Sequence, residues 1–396
     1  PWSLADRLLA NPSYANIDLL WTDSRQNRAL TLELASWHQK MISIDGDIGY
    51  ISGMNTKLSD WDTDEHLVFN ASRMAHDAST NSRLDVAYKD DDPDVGPRRD
   101  YGVRLQGPAA RDIEHLMSRR WNNSRQVSDP YAANTTDMPV TTPSAPVANG
   151  VQAQVVATLP EPFGERAILE THKKALSRAT DFVLIEDQYF RSPLLVEALM
   201  QQLLKEPNLY VVVITKPISK WLGEAKYTWL AEQQLRAIAP DRFMLVQLRT
   251  DDVVLDEGFL WDTVDLYDLP IDVHSKLRIV DDTYLSVGSC NFNNRGYLYE
   301  GEANVAIVDT VFVTEARRRI LKNLVGPYFA NQITDDAATN FAVLKEAMEW
   351  NVYVTDWWEA YADDLSLDEA SDVMDDNAGG TGRSGFVYPL TFEGYE

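Results

Sequence analysis

Two histidines in this chain carry the same neighbours at the same distances. His38 is followed by Lys40, Asp45 and, after six intervening residues, Ser52-Gly53-Met54-Asn55; His274 is followed by Lys276, Asp281 and, after the same six, Gly288-Ser289-Cys290-Asn291. One His-x-Lys alone would mean little, because on a strand it only puts two side chains on the same face. The repetition of four residue types in one register is what points to chemistry. Neutral imidazole can attack phosphorus, and a second imidazole that carries a proton can supply it to the departing oxygen. Lys40, Lys276, Asn55 and Asn291 can hold the non-bridging oxygens and absorb charge developing in the transition state. Such a centre requires no metal and no other cofactor. It does require the two histidines to differ in protonation, which carboxylates can arrange; Asp62 and Glu302, each downstream of its motif, are the candidates.

The elements that must position these groups follow from hydrophobic pattern. Met41 to Ile44 and Leu277 to Val280 read as apolar strands carrying the motifs. Further strands are expected at Ile17 to Trp21, Gly102 to Leu105, Phe182 to Glu186, Tyr210 to Thr215 and Phe243 to Gln247. Helices are expected at Ala109 to Trp121, Arg166 to Ala179, Leu194 to Leu204 and Tyr227 to Ala239. Alternating strand and helix makes the class α/β. Leu8-Leu9-Ala10-Asn11-Pro12 before Ile17 matches Leu204-Lys205-Glu206-Pro207 before Tyr210, so the chain reads as a duplicated domain. A stretch rich in Pro, Thr and Ala reads as a linker. The expected division is a first half-domain at 1–126, a linker at 127–162, a second half-domain at 163–334 and an acidic extension at 335–396. The first copy is expected to be truncated, because the counterpart of Arg166 to Phe190 would precede Pro1.

Composition limits the partners. A formal charge of −25 disfavours nucleic acid, whose binding draws its affinity from Lys and Arg set against phosphates. The segment from Asp335 onward, with Lys345 and Arg383 as its only basic residues, carries about half of that charge and reads as a solvated face or partly disordered tail. A single cysteine, Cys290, excludes an intrachain disulfide and a multi-cysteine zinc site.

At the level of whole motifs the chain resembles the phospholipase D superfamily, whose paired His-x-Lys-(x4)-Asp signatures match both elements. Trp61-Asp62-Thr63, Val103 to Ala109, Arg120-Trp121-Asn122, Ile185 to Phe190 and Gly301 to Asn304 agree as well, so the likeness runs from about Leu8 to Ile320. It implies a duplicated fold: two similar α/β/α domains with mixed sheets around a pseudo-twofold axis, both motifs meeting between them. By that analogy His38 is the nucleophile and His274 the general acid, with the exchanged assignment left open. Lys40, Asn55, Lys276 and Asn291 bind phosphate and Ser289 assists. Asp62 and Glu302 orient the histidines, and Asp45 and Asp281 support each motif from its edge. The implied activity is hydrolysis of a phospholipid headgroup ester to phosphatidate at a membrane surface, with alcohol transfer beside it; the alternative is a nuclease using the same site. Trp61 to His66 and Gln188 to Pro193 are also similar to antibacterial lipase effectors of type VI secretion, which favours secretion or periplasmic delivery and an immunity or secretion-apparatus partner. One departure stands out: Arg99 precedes Asp100 where the phospholipases often have His, which puts headgroup recognition in doubt.

Other features have simpler readings. His115 and His172 fall on amphipathic helices as surface or half-buried residues, and Asp90 to Asp94 reads as a solvated turn rather than a calcium loop. Trp221, Trp229 and Trp261 could line the mouth of the site, while Trp350, Trp357 and Trp358 suit anchors for the acidic segment.

Overall fold

The computed structural model describes residues 36–126, 136–161, 163–221, 225–256, 263–361, 365–366, 369–370 and 383–394. The strand expected at Ile17 to Trp21, and Trp261, lie outside them. In the first half, β1 (Met41–Ile44) and β2 (Ile48–Ser52) form a hairpin; α1 (Thr80–Ala87) and β3 (Arg98–Arg99) follow; β4 (Gly102–Gln106) then pairs with β2 and leads into α2 (Pro108–Gln126). The chain continues through β5 (Gln152–Leu159), β6 (Glu165–Arg166), α3 (Ala167–Leu176), β7 (Phe182–Asp187), α4 (Pro193–Lys205), β8 (Tyr210–Ile214), β9 (Ile218–Ser219), α5 (Lys226–Ile238) and β10 (Phe243–Asp256). Next come β11 (Thr263–Pro270), β12 (Asp272–Val273), β13 (Lys276–Val280), β14 (Tyr284–Gly288), α6 (Asn294–Leu298), β15 (Glu302–Val308), α7 (Thr310–Phe329), α8 (Ala337–Tyr361), β16 (Val387–Pro389) and β17 (Phe392–Glu393).

The large mixed sheet runs β11-β10-β8-β7-β13-β14-β15-β5-β6, with β16 on β10. Its centre is fully buried: Val183, Leu184 and Ile185 of β7 and Val211 to Ile214 of β8 form the near-continuous apolar runs that strands covered on both faces require. Helix α4 starts with Pro193, whose missing N–H costs nothing in the first turn, and buries Leu195, Val196, Leu199 and Leu203 along one stripe. Asp309 caps α7 by accepting from the Phe312 amide at 2.8 Å.

The duplication is visible in the register. Met41 faces Ile51 and Leu277 faces Val287, so each hairpin pairs the residue three beyond its histidine with the one thirteen beyond. Strands β1, β2 and β4 thereby correspond to β13, β14 and β15. Their inner faces share one apolar core, in which Ile51, Leu105 and Ile113 of the first half meet Leu277, Ile279 and Val287 of the second. This common core fixes one motif against the other.

The structure corrects several expectations. Among the described residues the first-half sheet has three strands and the large sheet ten. Ile42 and Ile44 of β1, which is an edge among the described residues, are exposed, not buried. The expected linker contains β5, which pairs along the length of β15. The described part of the acidic segment is packed rather than loose. Its helix α8 buries Phe341, Leu344, Val354 and Trp358, and β16 returns to the large sheet. His172 is fully buried between Tyr297 and Ser286.

Candidate active site

Each half delivers its histidine to a carboxylate of the other. Around His38 the backbone of Ser36 to His38 runs beside Gly301: the Gly301 amide donates to Ser36 O at 2.9 Å, and the His38 amide to Gly301 O at 2.8 Å. Only a glycine fits there, because a Cβ at position 301 would lie 2.1 Å from the Trp37 ring. The result places His38 Nδ1 3.1 Å from Glu302 Oε1 and 3.2 Å from Ser289 O. Around His274 the same construction appears with the halves exchanged. Strand β12 pairs in parallel with β3, the His274 amide donates to Arg99 O at 2.8 Å, and His274 Nδ1 lies 2.7 Å from Asp100 Oδ2. In both cases Nδ1 is occupied, which leaves Nε2 free to meet a substrate and fixes the ring's orientation.

The carboxylates are held in turn. The Ser289 hydroxyl donates to Glu302 at 2.5 Å and accepts from the Ala303 amide at 3.0 Å, so it supports the carboxylate that faces His38. Gly53, in the first motif, packs against Asp100 and Lys276; a Cβ there would come within 2.5 Å of the Asp100 carboxylate and 2.8 Å of Lys276 Cδ. Lys40 donates to the carbonyl of His38 at 2.7 Å, and Lys276 likewise bonds the carbonyl of His274. Both ammonium groups feel Glu302 and Asp100, so the two lysines and two carboxylates share one field.

Burial sets the protonation. Lys276 is fully buried and its ammonium is pushed down to about 8, although Asp100 and Asp187 offset part of the desolvation. Burial lifts the Asp100 carboxyl to about 7, against the pull of Lys276. Burial, with the charges of Lys276 and Arg98, holds the His274 imidazolium far below its ordinary range. Both shifts have one meaning. This dry, cation-rich corner disfavours the charged form of the His274 imidazole and of the Asp100 carboxyl alike.

The candidate residues do not all meet. His38, Lys40, His274, Lys276, Ser289 and Glu302 converge. Asn291 is buried at the end of the second motif and its Oδ1 has no hydrogen-bond partner, whereas Asn55 is exposed, bonds Asp60 at 3.1 Å and lines an open cleft of about 910 Å³ with Met54, Trp61 and His76. Asp62 does not orient a catalytic histidine. It pairs with His66 at 2.7 Å and Arg73 at 2.9 Å and accepts from the Arg98 amide, organising the loop after the first motif. Asp45 and Asp281 are not at the reacting centre either. Both occupy left-handed turn positions at the far ends of the motif strands, and Asp281 accepts from Thr180, Asp181 and Phe182 to secure the start of β7.

The residue that sequence reasoning missed is Asp100. The signal was the third strand of each half: Glu302 opens β15, and Asp100 stands just before β4, its counterpart. The long loop between β2 and β4 hides that equivalence from a search by spacing. Arg99, singled out as a departure, faces away from the histidines and is buried on Glu186 at 2.9 Å. Among the described residues no cluster of three or more His, Cys, Asp or Glu suits a metal ion. No described helix is long and apolar enough to cross a membrane.

Comparison with known proteins gives this arrangement a family. The major cardiolipin synthase ClsA of Bacillus subtilis (strain 168) is 24% identical over 273 residues, covering 69% of this chain and 44% of that protein. Phospholipase D A of Dictyostelium discoideum is 27% identical over 320 residues, covering 69% of this chain and 24% of that protein. The chain therefore spans less than half the length of these relatives. Among solved structures, phosphatidylserine synthase of Haemophilus influenzae Rd KW20 is 14% identical, covers 74% of this chain and 63% of that one, and superposes with a TM-score of 0.42. Residues 173–324 match the family model described as "Cardiolipin synthase, PLD-like domain", so that stretch, which carries the second motif, is a phospholipase D-like domain.

Proposed function

We propose that this protein transfers a phosphatidyl group, cleaving the headgroup phosphodiester of a glycerophospholipid and passing the phosphatidyl moiety to water or to an alcohol. The observation that carries the reading is the crossed arrangement of His38 with Glu302 and His274 with Asp100, beside Lys40 and Lys276. In the first step His38 Nε2 attacks phosphorus, the P–N bond forms, the P–O bond to the headgroup breaks, and the departing oxygen takes the proton from His274 Nε2. In the second, an oxygen of water or alcohol attacks phosphorus, gives its proton to His274 Nε2, and the P–N bond breaks. Lys40, Lys276 and Asn291 carry the charge on the non-bridging oxygens. Relatives named as cardiolipin synthases support an alcohol as acceptor, so phosphatidate is the product only where water wins.

The test is product analysis with phosphatidylcholine, phosphatidylethanolamine and phosphatidylglycerol, each with and without added glycerol, beside single-stranded DNA. The expected result is a new phosphatidyl alcohol at the expense of phosphatidate, with the DNA intact. Cleavage of the DNA with the lipids untouched overturns the reading in favour of a nuclease. The similarity to secreted lipase effectors extends the proposal to a phospholipid target in a cell envelope. Directing the protein to the bacterial periplasm should then arrest growth, and equal tolerance in periplasm and cytoplasm would remove that extension.

A further inference from the structure

The two histidine arms are built alike except at one position. The residue before each carboxylate accepts the amide of the opposing histidine through its carbonyl: Gly301 O from His38 and Arg99 O from His274, both at 2.8 Å. Gly301 has no side chain. Arg99 has one with all three nitrogens engaged: Nε donates to Glu186 at 2.9 Å, one terminal nitrogen to Tyr101 Oη at 2.7 Å, and the other to His66 Nε2 at 3.1 Å and to Asn323. Tyr101 closes the ring by donating to the second Glu186 oxygen at 2.9 Å, and the Ser275 hydroxyl bonds Glu186 as well. Because a guanidinium only donates, His66 Nε2 is the acceptor, so Nδ1–H donates to Asp62.

Arg99 and Tyr101 flank Asp100 in sequence, and on an extended chain alternate side chains point to opposite faces. Their two anchors on Glu186 therefore hold the backbone from both sides of Asp100 and aim its carboxylate at His274. Glu186 stands on β7, the strand beside β13, so the clamp references Asp100 to the sheet that carries His274 itself. We propose that Arg99, seated on Glu186 and His66, is a positioning residue that holds Asp100 against His274 and so sets the protonation and aim of the second histidine. The first-motif loop reaches that histidine through the same chain of bonds, by way of Asp62 and His66.

The proposal rests on the reading of His274 as a reacting group, so its test uses a coupling and a readout independent of turnover. Arg99→Lys keeps the charge and loses the fork. It should lower kcat tenfold or more on a lipid or p-nitrophenyl phosphodiester while KM changes less than about twofold. In an Asp100→Asn background the same change should cost less than about twofold, because a residue acting through Asp100 has nothing left to act on. Tyr101→Phe and Glu186→Gln serve as second and third variants should Arg99→Lys fail to fold, with urea midpoints as the check. In ¹⁵N-histidine spectra the Nδ1 resonance of His274 should move in Arg99→Lys as it does in Asp100→Asn, whether or not a substrate is turned over. Additive losses in the double variant, an unmoved His274 resonance, or a rise in KM at constant kcat each overturn the proposal. The last outcome would make Arg99 a substrate-binding group.

Discussion

The pair of His274 and Asp100 is a consequential local arrangement, because the contact at Nδ1 aims Nε2 and sets what it can do. Asp100 has a folded value of about 7, above its ordinary 3.8, so folding favours the protonated form. Its contribution to stability is complete below about pH 4 and is lost as pH rises through 7. Asp100→Asn cannot ionise. Its stability relative to the parent should therefore improve between pH 5 and 8, by on the order of a few kcal/mol, even as kcat falls about a hundredfold or more. Urea midpoints taken across that range check the sign, and a difference that is flat with pH would place the ionisation elsewhere. The histidines and lysines were legible in the sequence because the chain repeats them at fixed spacing, and Glu302 was within reach as a carboxylate a short way beyond the second motif. Asp100 was not, since its distance from His38 is set by a loop that the second copy lacks.

At the scale of elements, the third strand of each half and the turn beyond each motif strand do different work. Strands β4 and β15 follow or begin with the carboxylates, and the glycines beside them exist to let the halves approach, as the collision of any Cβ at 53 or 301 shows. Asp281 belongs to the turn. Its four hydrogen bonds to Thr180, Asp181 and Phe182, between 2.7 and 3.1 Å, secure the chain as it enters the central strand β7. Asp281→Ala should cost about 1 kcal/mol of stability, because three of its four partners are exposed and can turn to water while the Phe182 amide cannot, and leave kcat per folded molecule within about twofold. A loss of kcat beyond tenfold in fully folded protein would return Asp281 to the catalytic list. Motif spacing alone could not separate the two roles, since a residue retained for a turn repeats as faithfully as one retained for chemistry.

The whole molecule is a duplication whose halves have diverged outside the core. The second half supports its motif strand with β7 on one side and extends past β15 to β5, while β1 and β4 are edges among the described residues. A largely apolar cavity of about 290 Å³ lies beside the β4 edge, walled by Val103, Leu277, Val287 and Ile320 and by Phe312 and Ala316 of α7. Helix α8 fits the solvated-face reading of the acidic segment: Phe341, Leu344, Val354 and Trp358 form a buried stripe, and the acidic residues take the remaining faces.

Charge at this same scale makes a separate prediction about substrate surfaces. A chain with a net charge of −25 is repelled by any anionic interface, and over distances that salt controls. The screening length falls from about 30 Å at 0.01 M salt to about 10 Å at 0.1 M. On vesicles rich in phosphatidylglycerol, turnover should therefore rise severalfold across that range of salt. On phosphatidylcholine vesicles, which present no net charge, it should change by less than about twofold. Comparing initial rates on the two vesicle types at matched lipid concentration isolates the interfacial step, because the chemistry at His38 and His274 is common to both. A fall in rate with salt on the anionic vesicles would show that basic side chains such as Lys57, Arg98 and Lys216, which stand near Asp60 and Asp272 at the mouth, steer the lipid despite the overall charge.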